Sequence, residues 1–327
     1  GELTYDERLL FGEKQDCAWN ENRLTLECGK KITGNSKFVS ELWVRNIGLP
    51  DIARSSDLFN KGIVDPINIE IREAYIHVFG FLTKNLDLKI GRQRIVWGTA
   101  DKINPTDNLN PPDMEDILDF GRRRGSDAIN ASYYLNNDLF LQLVYLPFFQ
   151  PANMPVGLFA NALTPDMNLP AGLSLKSFSD TIQMPRFNLW ESSTAGFRFK
   201  GYSKGIDFSL SYLWGYDGLP VTNLNIFTPI DMSGGVNITS RLSFMRTHVF
   251  GADFATGIGG AGLWGEAALV IPDRDLIMTN DLSALYPLSP DPVLIDSVLI
   301  DKPYFKFIVG GDYNFRDGSY FNIQYLQ

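Results

Sequence analysis

Very few side chains in this sequence are suited to covalent chemistry. In 327 residues there are two histidines, His77 and His248, and two cysteines, Cys17 and Cys28. Neither histidine has a Ser or Asp companion at a fixed offset that would make it the base of a nucleophile. No catalytic residue is therefore expected, and the chain reads as a non-enzyme. Two cysteines without a neighbouring histidine cannot fill a tetrahedral zinc site. They flank the first long connection, so in an oxidising compartment a Cys17–Cys28 disulfide is expected to close and stiffen it. The run Gly257-Ile-Gly-Gly-Ala-Gly262 spells a dinucleotide fingerprint, yet it joins two strand-like runs instead of opening a helix, so it reads as turn glycine. Neither a cofactor nor a metal is expected.

Charge is the richer signal. From Trp97-Gly98 to Gly125 the chain carries Asp101, Asp107, Asp113, Glu115, Asp116 and Asp119, then Arg122, Arg123 and Arg124. Acidic and basic clusters this close form a constriction with a transverse field if the segment folds into the lumen of a pore; otherwise it is a surface loop whose charges face water or bridge lipopolysaccharide phosphates. The stiff steps Asn104-Pro105 and Asn110-Pro111-Pro112 suit a segment packed in place. Hard cations also want carboxylates, but this spacing matches no calcium loop.

The elements that position these charges are strands. Period-two alternation runs through Leu139–Leu146, where Leu139, Leu141, Leu143 and Tyr145 are apolar, and through Ile206–Trp214, where Ile206, Phe208, Leu210, Tyr212 and Trp214 oppose Asp207, Ser209 and Ser211. Thirteen strands are read at 2–11, 23–33, 36–46, 67–81, 86–97, 126–136, 138–148, 187–201, 206–215, 242–257, 262–272, 303–314 and 319–327. Tight links such as Gly34-Asn35, Ser203-Lys204-Gly205 and Gly259-Gly260 alternate with long ones at 12–22, 47–66, 98–125, 149–186, 216–241 and 273–302. An up-and-down meander with short turns at one end and long loops at the other has the asymmetry of an outer-membrane barrel, short turns periplasmic and long loops extracellular. A Greek-key sandwich would scramble that parity. No apolar run approaches the roughly 18 residues of a spanning helix, and a net charge of −9 gives no pull on phosphate backbones, so no nucleic-acid partner is expected. The fold class expected is all-β, an up-and-down antiparallel transmembrane β-barrel of about 14–16 strands. It is expected to form one domain over 1–327, with one or three further strands after Gln327, because single-chain barrels carry an even number.

The stretch Ile71-Arg-Glu-Ala-Tyr75, then Leu88-Lys-Ile-Gly-Arg-Gln-Arg-Ile-Val-Trp-Gly98, then Ala100-Asp101-Lys-Ile-Asn-Pro-Thr-Asp107, resembles a large family of Gram-negative outer-membrane barrels of unknown function. That family is distantly similar to alginate-export and other porin-like barrels. The resemblance covers one hairpin and its loop. It implies location in the outer membrane and a channel or export role, and it implies neither a catalytic residue nor a substrate.

If the apolar faces meet lipid, parity turns Glu73, Asp87, Lys89, Gln93, Arg198, Lys200, Asp207, Asp253, Glu266, Lys306 and Asp312 inward. On β-parity Arg92 and Arg94 continue the outward set of Leu86, Leu88 and Ile90, so either a bulge intervenes or they stand above the hydrocarbon. The expected constriction comprises Glu73, Lys89, Arg92, Gln93, Arg94, Asp113, Glu115, Arg122, Arg123, Arg124, Arg198 and Asp207. The apolar segment 149–186, with Phe148 and Phe149 at its head and Phe178 and Met184 near its end, is expected to plug the lumen, pack on the rim or meet an apolar cargo. The function expected is passive passage or export of a small or lipophilic solute through a loop-narrowed lumen. Outer-membrane lipid and lipopolysaccharide are its expected surroundings. The alternatives are a barrel that sheathes a lipoprotein or electron-transfer subunit and, less favoured, an outer-membrane hydrolase.

Overall fold

The computed structural model describes residues 1–10, 16–48, 54–116, 118–119, 121–155, 173–230, 234–287, 293–300 and 302–327. Among the described residues sixteen strands account for nearly all the regular structure, with one 3₁₀ turn at Ser55–Phe59 and one helical turn at Lys61–Val64. No helix among the described residues is long and apolar enough to cross a membrane.

The chain divides into two compact units. The first contains β1 (Glu2–Leu10), β2 (Asp16–Thr33), β3 (Ser36–Ile47), β4 (Ile67–Val78), β5 (Leu86–Gln93) and β6 (Ser126–Tyr134), each antiparallel to the next. The second contains β7 (Leu139–Leu146), β8 (Ser174–Gln183), β9 (Thr194–Ser203), β10 (Ile206–Pro229), β11 (Gly235–Ile258), β12 (Ala261–Pro272), β13 (Leu276–Asp281), β14 (Val293–Ile300), β15 (Tyr304–Asn314) and β16 (Tyr320–Leu326). Its antiparallel path is β7-β9-β10-β11-β12-β15-β16. All thirteen strands read from the alternation are present, in the up-and-down order expected.

Three strands arise inside connections that the sequence leaves as loops. β8 pairs parallel with β11, β13 pairs parallel with β10, and β14 pairs antiparallel with β13. Two long loops are also shorter than expected. The segment 12–22 is largely the start of β2, and 216–241 is largely hairpin, since β10 and β11 run 24 residues each. At about 3.3 Å per residue such strands reach roughly 80 Å, far beyond the ~9–11 residues needed to span hydrocarbon. Turn letters at Gly215, Gly218-Leu-Pro220 and Gly234-Gly235 hide this continuation, and it takes a register break between Tyr216 and Pro220 to carry the pairing past them. Beyond the break, Phe227, Val236, Ile238 and Leu282 form a small buried cluster.

Polarity across the strands is inverted relative to a soluble sheet. Ile67 and Ile69 on β4, Leu143 on β7, Leu210 on β10, Phe305 on β15 and Ile323 on β16 are exposed, Ile69 at 72%. On the opposite face Glu21, Arg45, Arg72, Gln142, Asp253 and Glu266 are buried, Arg45 at 2% and Glu266 at 3%. A sandwich hides the apolar face and wets the polar one. Here the polar face is the covered one.

The expected disulfide fails on backbone geometry. Cys17 and Cys28 lie on the same strand, β2, eleven residues apart, which at about 3.3 Å per residue is roughly 36 Å. A bridge needs Cα atoms within ~7 Å. Cys28 is a free, exposed thiol. Maleimide should modify Cys28 without prior reduction, with no further thiol released by dithiothreitol; new labelling after reduction would contradict the strand assignment.

Candidate functional site

The segment between β5 and β6 meets the polar strand faces in two stretches, and each stretch is held by charge. Residues 96–109 belong to the second unit and 110–125 to the first.

In the second unit the anchor is Glu266 on β12. Its carboxylate accepts from the backbone N–H of Thr99 at 3.0 Å, Ala100 at 3.2 Å and Thr106 at 2.6 Å, from the Thr106 hydroxyl at 2.7 Å and from Asn104 Nδ2 at 3.3 Å. A buried carboxylate is tolerable only when its lone pairs are met in this way. The Asn104-Pro105 step bends the segment so that donors on both sides of it converge on one carboxylate. Gly98 is required here: its φ is +89° and a Cβ would strike the Glu266 carboxylate. Asp253, opposite Glu266 in register, accepts from the Ser209 hydroxyl. Trp97, 1% exposed, donates to Gln142 Oε1 at 3.0 Å. Arg198 lies over the Trp97 ring and donates to the carbonyl of Val96 at 3.1 Å.

In the first unit the pattern reverses, with wall arginines meeting segment carboxylates. Arg45 on β3 pairs with Glu115 at 2.6 Å and with Glu70 and Glu21 on the wall. Arg72 on β4 pairs with Asp113 at 2.8 Å and donates to the carbonyl of Arg123 at 2.9 Å. Arg122 reaches back to Asp113 at 3.1 Å and Glu115 at 3.3 Å. Arg8 on β1 grips Asp116 with two bonds of 2.6 and 2.7 Å, the fork geometry that suits arginine. Arg23 and Arg72 both lie over the ring of Trp43, at 4.3 and 4.1 Å from its centroid. Asn110, 1% exposed, accepts from Ile95 N and Arg94 Nη1 and donates to Gln93 O and Ser126 Oγ. The segment 98–125 is thus docked on polar strand faces, and its Asp113, Glu115 and Asp116 are each paired with an arginine. Among the described residues no cluster of histidine, cysteine and carboxylate could hold a metal ion.

The residues expected at a constriction separate into three groups. Asp113, Glu115, Arg122, Arg123 and Arg198 belong to the docked segment or its clamps, with Arg123 bonding the Asn110 carbonyl at 2.8 Å. Glu73, Gln93, Arg94 and Arg124 hold backbone or neighbours: Glu73 accepts from Arg94 N at 2.7 Å, Gln93 is bound to Ala128 O and Asn130, and the Arg124 backbone N–H donates to Pro111 O. Lys89 faces the Tyr75 ring at 5.5 Å, and Asp207 is exposed at the turn end of β10. Arg92 is a correction. The β5 register runs unbroken from Leu86 to Gln93, so no bulge reverses it, and Arg92 stays on the outer face with Asp127 at 3.5 Å.

What sequence spacing hides is the wall half of each clamp. Arg8, Glu21, Arg45, Glu70 and Arg72 come from four different strands, and only register brings them to one patch. The histidines likewise acquire partners through register. His248 Nδ1 lies 2.8 Å from the Tyr212 hydroxyl and its Nε2 lies 2.8 Å from the Asp273 carboxylate, and His77 lies 3.4 Å from Asp87. Tyr212 and His248 sit beside Trp214 and Arg246, the latter 3.4 Å over the Trp214 ring. Tyr212, Trp214, Tyr216 and His248 together form a belt of amphipathic rings on the outer face.

The class defined by this geometry is an all-β, up-and-down antiparallel wall with an apolar outer face and a charged inner face clad by its own connecting segment. The profile described as a protein of unknown function, DUF1302, matches residues 67–293, and the chain belongs to that family. A search of curated proteins finds no significant match. Among solved structures, OmpF of Salmonella typhi in complex with daunomycin matches at 12% identity and a TM-score of 0.44, over 99% of this chain and 76% of that one. The anion-selective porin from Comamonas acidovorans matches at 12% identity and 0.39, over 93% and 68%. OprB of Pseudomonas putida matches at 13% and 0.37, over 98% and 89%.

Two predictions follow from the clamps. Glu266→Ala strands several buried N–H donors at ~1–3 kcal/mol each, so thermal denaturation should show a loss of about 3 kcal/mol or more and proteolysis within 96–109 should accelerate. An unchanged transition would contradict the anchoring role.

The second concerns acid. Burial works to raise the Asp113 carboxyl, but Arg122 and Arg72 outweigh it and hold it below the usual carboxylate range; at Asp116 burial is likewise overcome by Arg8. Glu115 goes the other way, raised by burial that Arg45 only partly offsets. Asp113 and Asp116, ionised more readily folded than unfolded, contribute stability that is present above an unfolded value near ~4 and lost as pH falls through their lower folded values. The Glu115 contribution has the opposite sign and fades as pH rises. Limited proteolysis should find 110–125 protected at pH 6 and released only below about pH 4, and Asp113→Asn should be less protected than the parent at pH 6.

Proposed function

We propose that this protein is a porin-like channel of a Gram-negative outer membrane, in which the apolar strand face meets lipid and the charged face lines a water-filled lumen narrowed by residues 96–125. The observation that carries this reading is the inversion of polarity. Exposed Leu143, Leu210, Phe305 and Ile323 would be a liability in water over so wide a surface, whereas a strand wall in lipid wants them outside. Backbone satisfied strand to strand is the arrangement that hydrocarbon permits besides a helix. The belt of Tyr212, Trp214, Tyr216 and His248 suits the interface, where rings with one polar edge settle.

Selectivity would be set by the paired charges at the docked segment. Passage is passive, by size and by the field between Asp113, Glu115 and the arginines Arg45, Arg72 and Arg122. The solute is small, and its direction of movement follows its gradient. No step of chemistry is asked of any side chain.

Planar-bilayer recording of the purified protein tests the proposal. Discrete conductance steps are expected, and Arg122→Glu, which breaks the pairs with Asp113 and Glu115, should enlarge the step and shift reversal potentials toward cations. Absence of steps from a folded, heat-modifiable protein, or steps indifferent to Arg122→Glu, would reject it. Leu210→Arg checks the lipid-facing surface separately: a cation near the midplane costs about 2–4 kcal/mol, so refolding into vesicles should weaken while solubility in detergent is kept.

A further inference from the structure

Where the β10–β11 hairpin leaves the wall, its outer partners change. β11 exchanges β12, paired over Thr247–Ile258, for β8, paired over Gly235–Ser243, and β10 exchanges β9 for β13. The fork left between the departing and arriving strands holds a cleft of about 590 Å³, within the usual range of small-ligand sites. Three arginines line it, Arg186 before β9, Arg241 on β11 and Arg274 before β13. In the charged patch of the first unit Arg8, Arg45, Arg72 and Arg122 are all paired with carboxylates. Among the described residues the side chains of Arg186, Arg241 and Arg274 form no ion pair, although Glu191 and Asp275 also border the cleft. The lining therefore carries an excess of positive charge on a chain whose net charge is −9. Tyr216, Phe244 and Ile277 supply apolar surface beside the arginines, and Phe244 is itself fixed by the Phe149 ring at 4.6 Å.

We propose that this cleft binds a small organic anion, a carboxylate or phosphate carrying a compact apolar body, with the arginines on the anionic head and Tyr216, Phe244 and Ile277 against the body. Planar guanidinium groups match carboxylate and phosphate geometry, and an anion takes up the positive charge that remains when three arginines are set against Glu191 and Asp275. A free solute and the phosphorylated lipid of the surrounding membrane share this chemistry. The cleft is compact and set in a fork of strands, which favours the free solute. Its role as a docking station for cargo rests on the channel reading, but the binding itself does not.

Isothermal titration of the detergent-solubilised protein tests it, with octanoate as the probe and octyltrimethylammonium and diphosphoryl lipid A titrated in parallel. Octanoate should bind and octyltrimethylammonium should not. The triple variant Arg186→Ala, Arg241→Ala, Arg274→Ala should lose at least tenfold in octanoate affinity. Arg316→Ala, which removes one exposed arginine from a distant turn, should bind as the parent does. All three cleft arginines are exposed, and heat-modifiable migration of the variants confirms that they fold. No octanoate binding by the parent, equal affinity in the triple variant, an equal loss in Arg316→Ala, or binding of lipid A alone would each overturn the proposal. Octanoate binding in a protein that conducts no ions would leave the site standing and remove only the channel reading.

Discussion

A carboxylate or guanidinium withdrawn from water must find its complement, and this constraint organises the inner face of the wall. Glu266 at 3% exposure and Arg45 at 2% could not stay charged against an apolar neighbour. The segment 96–125 supplies what each needs: backbone N–H groups around Glu266, carboxylates for Arg45, Arg72 and Arg8. The segment is cladding, held by charge-assisted bonds together with the buried Trp97 and Leu109 side chains. Its proline steps and Gly98 are the local features that let donors and acceptors arrive together. The residues on which the family resemblance rests include Arg72, Gln93, Trp97 and Gly98, each engaged in this docking or in the wall beneath it.

The same constraint explains the outer face. Once charge is gathered on one side, alternation leaves the other side uniformly apolar, and a strand wall with that polarity has one natural solvent. Arg92 with Asp127 is the exception that marks where the outer face turns polar, and the Trp214, Tyr216 and Arg246 stack marks a ring belt on the second unit. Beyond the belt β10 and β11 keep pairing as a projecting hairpin, with β8, β13 and β14 added along its edges. There the alternation serves a small buried cluster around Phe227 and Ile238 in place of a lipid face.

Much of the wall was legible in the sequence because period-two alternation is a local signal. Leu139–Leu146 and Ile206–Trp214 declare both their conformation and their faces in eight or nine residues. The short turns at Gly34-Asn35 and Gly259-Gly260 declare their hairpins. What escaped depends on register between distant segments. β8 and β13 pair parallel with strands that also have antiparallel neighbours, and nothing within 174–183 or 276–281 announces those partners. The β10–β11 extension was concealed by turn residues that a register break accommodates. The site was half legible. The acidic run and the triple arginine of 98–125 identified the docked segment, while Arg8, Glu21, Arg45 and Glu70 lie far from it in sequence and look like ordinary strand polars. The cysteine pairing failed for a related reason: the loop expected to separate Cys17 from Cys28 is continuous strand.

The central claim is that alternate residues of one strand meet lipid and water. Spin labels placed singly at positions 206 to 214, in a background with Cys17→Ser and Cys28→Ser and reconstituted in vesicles, measure it through collision with oxygen and with a water-soluble nickel chelate. The account predicts oxygen accessibility with a two-residue period, highest at 206, 208, 210 and 212, with 207, 209 and 211 out of phase. A flat profile, or nickel reaching the even positions as readily as the odd, would contradict it.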